Sequence, residues 1–320
     1  MKYIIGIDVG GMSAKGGLFD ENGTLLRTQS IKTNKQDGFE KTVEDLALLC
    51  RQLATAQGVE WQDVSRIGVG VPGLVNSKDG VVVEWGNFDW NNVPLVQRLS
   101  TYTNKQVFIG NDANVATLGE TYYGVGVKYQ SNVLLTLGTG IGSGFVVEGK
   151  LFEGYFGTFE LGHFVLYPNG IDCVCGKKGC FEQYASATAL IAQTRRAMQN
   201  DPDSTLWKIV GGDSNAVDGK TVFIGVEKGD QTAKKVLAQY IDYLAQGIVH
   251  IINILHPEAV LIGGGIAGAG EVLLLPLRER IKSIGYSGAT FASVKIELAK
   301  LGNQAGIYGA LALAKERNKE

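Results

Sequence analysis

The chain has 320 residues, of which 45% are hydrophobic, enough to fill the core of one large domain or of two lobes. Its 30 basic and 32 acidic residues nearly balance, which argues against nucleic acid or an anionic membrane as a partner. No apolar run approaches the ~18 residues of a membrane span, and the N-terminus lacks a signal-peptide core, so we expect a soluble cytoplasmic protein. Glycine is in excess, with 44 residues against only 6 prolines, and this imbalance is not that of a low-complexity linker.

Three strand-like runs each end in glycine. They cover residues 3–8 before Gly10 and Gly11, residues 133–137 before Gly138, Thr139 and Gly140, and residues 259–262 before Gly263, Gly264 and Gly265. Aliphatic and β-branched residues bounded by glycine predict buried strands, and glycine lets backbone N–H groups approach an anion. Any one such turn can be an ordinary connection between elements. Three of them, in a glycine excess without proline, favour phosphate binding.

Helical patterns alternate with these strands, which predicts an α/β chain. Periodic apolar residues predict a helix over residues 39–57 with Cys50 buried in its apolar face, and a second helix over residues 232–255. His250 and His256 lie at the end of that second helix, and we interpret both as structural. A further strand is expected at 106–109, and a terminal helix is expected to pack on the first lobe.

A strand followed by a glycine turn occurs near Gly10 and again near Gly138, which predicts a duplicated unit, one per lobe. We expect a small N-terminal lobe of residues 1–118, completed by a C-terminal helix at about 303–320. Residues 119–302 would form the large C-terminal lobe.

Neither standard phosphate-binding motif fits. The run from Gly138 to Gly142 resembles a dinucleotide fingerprint, but the acidic residue at the required distance, Glu160, lies in the different context Glu-Leu-Gly-His. A P-loop ending at Gly219-Lys220-Thr221 needs a glycine where this chain has Ser214. The phosphate site is therefore expected to be distributed over several turns.

Two acidic residues follow predicted strands and suit such a distributed site. Asp8 ends a strand just before Gly10 and Gly11, where a carboxylate can hold magnesium through water while glycine amides face phosphate. Asn111 and Asp112 follow the strand at 106–109 and present an amide beside a carboxylate. Such a pair can hold a hydroxylated substrate and take its proton.

Three of the four cysteines, Cys173, Cys175 and Cys180, lie within eight positions. In a reducing compartment, this clustering favours a metal site over a disulfide framework.

Seven motifs in a fixed order resemble the ROK family of sugar kinases and sugar-responsive repressors. They are Asp8-Val9-Gly10-Gly11, Gly70-Val71-Pro72-Gly73, Gly110-Asn111-Asp112-Ala113-Asn114, Leu137-Gly138-Thr139-Gly140-Ile141-Gly142, Glu160-Leu161-Gly162-His163, the run from Cys173 to Glu182, and Leu261-Ile262-Gly263-Gly264-Gly265. The resemblance spans nearly the whole chain and implies a duplicated actin/hexokinase-like (ribonuclease H-like) two-lobe α/β fold with a central cleft. The most similar pattern is that of bacterial ATP-dependent glucokinases, which implies transfer of the γ-phosphoryl group of Mg-ATP to the 6-hydroxyl of glucose.

The resemblance also implies a role for each matching residue. Asp112 would be the catalytic base. The sugar contacts would be Gly73, Asn87, Asn111, Asp112, Glu160, His163 and Glu182. The contacts to ATP and Mg²⁺ would be Asp8, Gly10, Gly11, Met12, Ser13, Lys15, Gly138, Thr139, Gly140, Gly263, Gly264 and Gly265. The family usually has threonine where this chain has Met12, a departure that bears on turnover and not on nucleotide binding.

His163, Cys173, Cys175 and Cys180 supply one nitrogen and three sulfurs, a set suited to a closed, structural Zn²⁺ site. Coincidental clustering is the alternative. In the family, this histidine binds zinc through one ring nitrogen and contacts sugar through the other, so the metal aims the ring.

Other functions remain open within the family. The substrate can be another hexose, such as fructose, N-acetylglucosamine or N-acetylmannosamine, because only the pocket walls discriminate among them. The altered residue Met12 raises the alternative of a non-catalytic sugar-binding protein. A DNA-binding repressor is not expected, since the first predicted kinase strand begins at Tyr3 and leaves no room for a preceding DNA-binding domain. The family habit implies a homodimer.

Overall fold

The computed structural model describes residues 2–155, 159–286 and 293–316. The chain forms two compact units. The first consists of Met1–Gln130, Gly144–Phe159 and Lys300–Glu320, and the second of Ser131–Ser143 and Glu160–Ala299. The lobe boundaries expected from the sequence, 1–118 with 303–320 and 119–302, stay a prediction.

The strands follow the predicted α/β pattern. They are β1 (Tyr3–Val9), β2 (Ser13–Asp20), β3 (Leu25–Lys32), β4 (Val64–Val71), β5 (Leu74–Asn76), β6 (Val81–Trp85), β7 (Trp90–Val93), β8 (Gln106–Asn111), β9 (Asn132–Leu137), β10 (Ile141–Val147), β11 (Lys150–Leu151), β12 (Ala259–Gly263) and β13 (Lys295–Leu298). β1, β9 and β12 are the three predicted glycine-bounded strands, and β8 is the strand expected at 106–109. The near-continuous apolar runs of β1, β9 and β12 suit strands covered on both faces.

The helices include the two expected from periodicity, at residues 39–57 and 232–255. They are α1 (Gly38–Ala56), α2 (Leu95–Thr103), α3 (Asp112–Tyr123), α4 (Glu182–Ala185), α5 (Ala187–Gln199), α6 (Leu206–Ile209), α7 (Thr221–Glu227), α8 (Gln231–Leu255), α9 (Glu271–Ile284) and α10 (Ala305–Glu316). Cys50 is fully buried in α1, as predicted. His256 ends α8 in a left-handed conformation and its amide donates to the Ile252 carbonyl, so it caps the helix. Among the described residues, no helix is both long and apolar enough to cross a bilayer.

The two five-stranded sheets share one strand order. The first runs β3-β2-β1-β4-β8 and the second runs β11-β10-β9-β12-β13. In the first, β1 pairs antiparallel with β2 and parallel with β4. In the second, β9 pairs parallel with β12, which pairs parallel with β13. The recurrence of this order is what the predicted duplication requires. A small antiparallel sheet, β5-β6-β7, was not foreseen from the sequence.

The terminal helix α10 packs into the core of the first unit, as predicted. Its residues Ile307 and Leu311 are buried against Ile4 and Phe19. Gly309 lets α10 also approach α3 closely, because a side-chain carbon added at Gly309 would lie 1.6 Å from the Val115 carbonyl oxygen of α3. Part of the glycine excess therefore serves helix packing and not ligand binding.

Candidate active site

Two carboxylates of the first unit lie at the ends of parallel strands of the same sheet. Asp8 lies near the end of β1, and Asp112 begins α3 directly after β8. Burial raises the pKa of Asp112. The pKa of Asp8 is raised to about 6, mainly by burial and to a smaller extent by the negative charge of Asp112. The positive charge of Lys15 lowers the pKa of Asp8 and so opposes this shift. The two acids therefore interact, and a proton or a cation is needed to relieve their repulsion.

Asn111 holds Asp112 in place at the start of α3. Its Oδ1 accepts hydrogen bonds from the amides of Ala113 at 3.0 Å and Asn114 at 3.1 Å, which caps the helix. Its amide donates to the Gly73 carbonyl at 3.1 Å and also bonds to Asp112. The side chain predicted to hold sugar hydroxyls thus has its acceptor occupied by the helix. It also bonds to the carboxylate beside it, and its contact with sugar stays a prediction.

Gly73 and Asn87 belong to the same part of the first unit. Gly73 has a φ of 91°, and a side-chain carbon there would lie 2.1 Å from the Glu84 carbonyl oxygen at the end of β6. Asn87 is exposed on the turn that follows β6. Trp85 stacks on Phe88 at 3.9 Å between ring centroids and supports this turn. The sequence does not predict this aromatic support, because the rings of Trp85 and Phe88 meet only after β5, β6 and β7 pair.

The turn between β1 and β2 is held by local bonds and is open on its outer side. The Gly10 amide donates to the Ser13 carbonyl at 2.9 Å, and the Thr33 hydroxyl donates to the Gly10 carbonyl at 2.7 Å. A side-chain carbon at Gly11 would meet no atom within 4 Å, and Met12 is 86% exposed. The residue in the place of the family threonine therefore points to solvent.

Two residues near α10 also contribute to this region. The Lys15 ammonium donates to the Asn303 carbonyl at 3.2 Å. A side-chain carbon at Gly306 would lie 2.3 Å from the Asp8 carboxyl carbon, so only glycine leaves room for that acid. Gly306 lies within the terminal helix expected at about 303–320, but no local pattern predicts its contact with Asp8.

In the second unit, two glycine turns lie against each other. Gly138, Thr139 and Gly140 join β9 to β10, so this is a strand-to-strand turn and not a dinucleotide fingerprint, which would lead into a helix. Gly264 follows β12 with a φ of 82°, and a side-chain carbon there would lie 2.4 Å from the Leu137 carbonyl oxygen. The structure thus brings together two of the three predicted phosphate turns.

The N-terminus of α5 lies beside the first of these turns. The Ala187 amide at the start of α5 donates to the Gly138 carbonyl at 2.9 Å. Gly138 and Gly265 leave one side of the backbone bare, because a side-chain carbon at either would meet no atom within 4 Å. Open backbone next to a helix N-terminus favours an anion such as phosphate.

The predicted metal ligands converge. One donor atom from each of His163, Cys173, Cys175 and Cys180 lies within 4.8 Å of the others. The Cys175 and Cys180 sulfurs are 3.5 Å apart, and the Cys173 sulfur is 3.6 Å from His163 Nδ1. Tetrahedral zinc with Zn–S bonds of about 2.3 Å places its ligand atoms about 3.6–3.8 Å apart. These residues therefore fit a zinc ion, and all four cysteines are free of disulfides.

Backbone geometry supports this cluster. Gly176 and Gly179 have φ values of 84° and 80°, which confirms the predicted tight turns around the cysteines. The Lys177 amide lowers the pKa of Cys175, whereas burial raises that of Cys180 to about 12.

The two predicted sugar-contact glutamates flank the metal ligands. Glu160 precedes the short turn that carries His163, and Glu182 begins α4 two residues after Cys180. Glu182 Oε1 lies 3.2 Å from the Cys173 sulfur and 3.7 Å from His163 Nδ1. Because Nδ1 faces the cluster, the other ring nitrogen, Nε2, is left for a different partner. The sugar contacts themselves stay a prediction.

Comparison with known proteins identifies the class. The ROK family profile matches residues 4–317, so the chain belongs to the ROK family. A glucokinase of Thermotoga maritima is 38% identical over 317 residues, which are 98% of this chain and 98% of the relative. A xylose repressor of Caldicellulosiruptor bescii is 30% identical over 250 residues, covering 77% of this chain and 61% of the repressor.

A solved structure also matches. The crystal structure of a ROK family glucokinase from Streptomyces griseus in complex with glucose and AMPPNP superposes with a TM-score of 0.84. That protein is 30% identical and the match covers 98% of this chain and 99% of the other. The predicted family and the hexokinase-like α/β fold are thereby confirmed.

Proposed function

We propose that this protein is an ATP-dependent glucokinase that transfers the γ-phosphoryl group of Mg-ATP to the 6-hydroxyl of glucose. The observation that carries the proposal is the half-buried Asp112 carboxylate, fixed by Asn111 at the start of α3. The full-length similarity to glucokinases supports the choice of reaction.

Asp112 is the general base in this proposal. Burial raises the pKa of its carboxyl above the ordinary value, which makes the ionised carboxylate a stronger base for the substrate hydroxyl. Asn111 bonds to the carboxylate and holds it at one position, so little reorganisation is needed when the substrate hydroxyl arrives. Phosphoryl transfer depends mainly on such positioning and on charge stabilisation.

Asp8 and Lys15 form the charged surroundings of the phosphoryl group. Two neighbouring carboxylates, of which Asp8 has a pKa of about 6, suit a hard cation with oxygen ligands. Mg²⁺, when bound, neutralises charge on the phosphate oxygens, and Asp8 is the residue we assign to hold it through water. Lys15 opposes the charge of Asp8 and stays tied to the Asn303 carbonyl.

The nucleotide contacts are assigned to backbone amides. In the first unit they are Gly10, Gly11, Met12 and Ser13, and in the second they are Gly138, Thr139 and Gly140, with Gly263, Gly264 and Gly265 on the adenosine side. The open backbone at Gly11, Gly138 and Gly265 supports this assignment. Met12 contributes no hydroxyl to phosphate, but its exposed side chain does not block the turn.

The sugar contacts are assigned to Gly73, Asn87, Asn111 and Asp112 in the first unit, and to Glu160, His163 and Glu182 in the second. Zinc, when bound, is structural, because three cysteines and one histidine fill a tetrahedral shell. It would hold His163 by Nδ1 and leave Nε2 to bond a sugar hydroxyl.

A coupled assay with Mg-ATP tests the proposal. The panel consists of glucose, fructose, N-acetylglucosamine and N-acetylmannosamine, with ADP release and sugar phosphate both measured. We expect glucose to have the highest kcat/KM. A clear preference for another hexose would replace the substrate assignment. Sugar binding without ADP release for any hexose would indicate a non-catalytic sugar-binding protein.

Two further assignments follow from the family and the cysteines. The family habit supports a homodimer, which light scattering tests by mass. The free cysteines of the metal site suit a reducing compartment and support a cytoplasmic location.

A further inference from the structure

The Glu182 carboxylate joins the metal-ligand cluster to the glycine turn of residues 138–142. Its Oε1 lies 3.2 Å from the Cys173 sulfur and 3.7 Å from His163 Nδ1. Its Oε2 accepts a long hydrogen bond of 3.4 Å from the Ile141 amide. A single side chain therefore touches both the cluster and the turn.

The close approach at Gly140 shows how tightly this carboxylate is seated. A side-chain carbon added at Gly140 would lie 2.3 Å from Glu182 Oε2. Gly140 does not have the positive φ that would itself require glycine. The residue is constrained by Glu182, whereas a side-chain carbon at its neighbour Gly138 would meet no atom within 4 Å.

The segment that carries His163 contacts the same stretch of chain from another side. The Leu161 amide donates to the buried hydroxyl of Ser143 at 3.0 Å. A side-chain carbon at Gly162 would lie 2.3 Å from the Ile141 carbonyl oxygen. Glu182 thus holds the Ile141 amide, and Gly162 packs against the Ile141 carbonyl. Gly162 is adjacent in sequence to the metal ligand His163, and Glu182 lies two positions after Cys180.

We propose that Glu182 is a positioning residue that couples the metal cluster to the 138–142 turn. When metal is bound, Glu182 holds this turn in place, so the metal supports nucleotide binding as well as the sugar pocket. The effect on nucleotide binding rests on the proposed function, in which this turn holds phosphate. The effect of metal on the backbone of the turn is independent of the proposed function. Glu182 acts here through the backbone of Gly140 and Ile141.

Hydrogen exchange of the Ile141 amide tests the coupling in the full-length protein. Zinc-loaded and chelator-treated samples of the wild type and of Glu182→Ala are compared at a temperature where all remain folded. In the wild type, metal removal should speed exchange about tenfold, the effect of losing one hydrogen bond and its support. In Glu182→Ala, exchange should already be fast, and metal removal should add less than about twofold. Zinc content is measured for each sample to verify that the variant still loads metal.

A double-mutant cycle gives an independent readout of the contact. Gly140→Ala should lower Tm by about 3 °C or more, because the new methyl group meets the carboxylate. In the Glu182→Ala background, the same change should cost clearly less, since the obstructing oxygen is gone. Gly138→Ala is the matched control and should lower Tm equally in both backgrounds. Glu182→Gln, which keeps one carbonyl oxygen, should partly restore slow exchange.

Binding of AMPPNP with Mg²⁺ separates this inference from the proposed function. We expect metal removal to weaken AMPPNP binding in the wild type and to have little further effect in Glu182→Ala. Equal sensitivity of Ile141 exchange to metal removal in both proteins, or additive effects of Gly140→Ala and Glu182→Ala, would overturn the inference. If the exchange coupling holds but the wild type binds no AMPPNP, the positioning role stands and the proposed nucleotide site fails.

Discussion

Two glycine turns occupy the same place in the two sheets but are held differently. The turn from β1 to β2 is secured by its own backbone and by Thr33, and Met12 at its tip is 86% exposed. The turn from β9 to β10 lies against Glu182, and Gly138 accepts a bond from the start of α5. The first turn adjoins the interacting acids Asp8 and Asp112, and the second adjoins the metal ligands.

This contrast indicates that the two units of the duplicated architecture have different roles. The ionisable groups assigned to chemistry lie in the first unit, next to an open turn. The second turn keeps its own bond from the Gly138 amide to the Gly140 carbonyl, and Glu182 and the start of α5 contact it as well. Substitutions in the first unit should therefore change rate more than stability, and those at the metal site should change stability and affinity together.

The largest effect is expected from Asp112→Asn. The amide keeps the shape of the side chain but cannot accept the hydroxyl proton, so kcat should fall about 10²–10⁴-fold. Glucose affinity and Tm should change little. Burial disfavours the charge of Asp112, as its raised pKa shows, so a neutral amide at this position does not destabilise the fold. A steady-state assay with calorimetric glucose binding measures both. Turnover like that of the wild type would exclude Asp112 as the base.

Loss of a metal ligand should have the next largest effect, on stability. Cys180→Ser should reduce zinc well below one ion per chain and lower Tm, with the roughly 10 kcal/mol of small zinc modules as an upper bound on the lost free energy. Cys50→Ala is the control, because Cys50 is buried in α1 away from the ligand set. It should retain zinc and cost only about 1 kcal/mol of packing. Full zinc content in Cys180→Ser would contradict the assigned ligand set.

A moderate effect is expected on the pH profile. Asp112 must be ionised to act as a base, and Asp8 must be ionised to hold Mg²⁺. Because the pKa of both is raised, and that of Asp8 to about 6, kcat/KM should fall as the pH drops from neutrality through this range. Lys15→Gln removes the charge that lowers the pKa of Asp8, so the acidic limb should move to higher pH by up to about one unit. A limb that stays in place or moves to lower pH would contradict this electrostatic arrangement.

The smallest effect is expected from Met12→Thr. The exposed tip of the first turn has room for the hydroxyl that the family usually carries there, so kcat/KM for ATP should rise, by no more than about tenfold for one hydrogen bond to a charged group. Tm should stay within about 1 °C, as is usual for a surface change. A fall in kcat/KM would show that Met12 contributes to the site as it stands.

The sequence allowed four strands (β1, β8, β9 and β12), the helices α1 and α8 and the clustered cysteines to be predicted because their signals are local. Apolar periodicity located α1 and α8, and the spacing of Cys173, Cys175 and Cys180 pointed to a metal. The contacts that tune the site are not local. Glu182 meets Gly140 and Gly306 meets Asp8 across long stretches of chain, and no pattern within either segment encodes that meeting.

Asn111 illustrates a second limit. The sequence showed its position after a predicted strand and beside Asp112, but not the helix that begins there. The sequence suggested a ligand contact, which stays a prediction, and it gave no sign that the same side chain caps α3 and bonds to Asp112. A polar residue at a strand end can serve either purpose or both, and the cap becomes evident only from the hydrogen-bond partners.

Identification of the product tests the central claim most directly. Glucose and Mg-ATP are incubated with the zinc-loaded protein, and the products are analysed by ³¹P and ¹³C nuclear magnetic resonance. The proposed reaction predicts one sugar product, glucose 6-phosphate, formed in equal amount to ADP. Phosphate on another hydroxyl, or ADP release without a sugar phosphate, would contradict it.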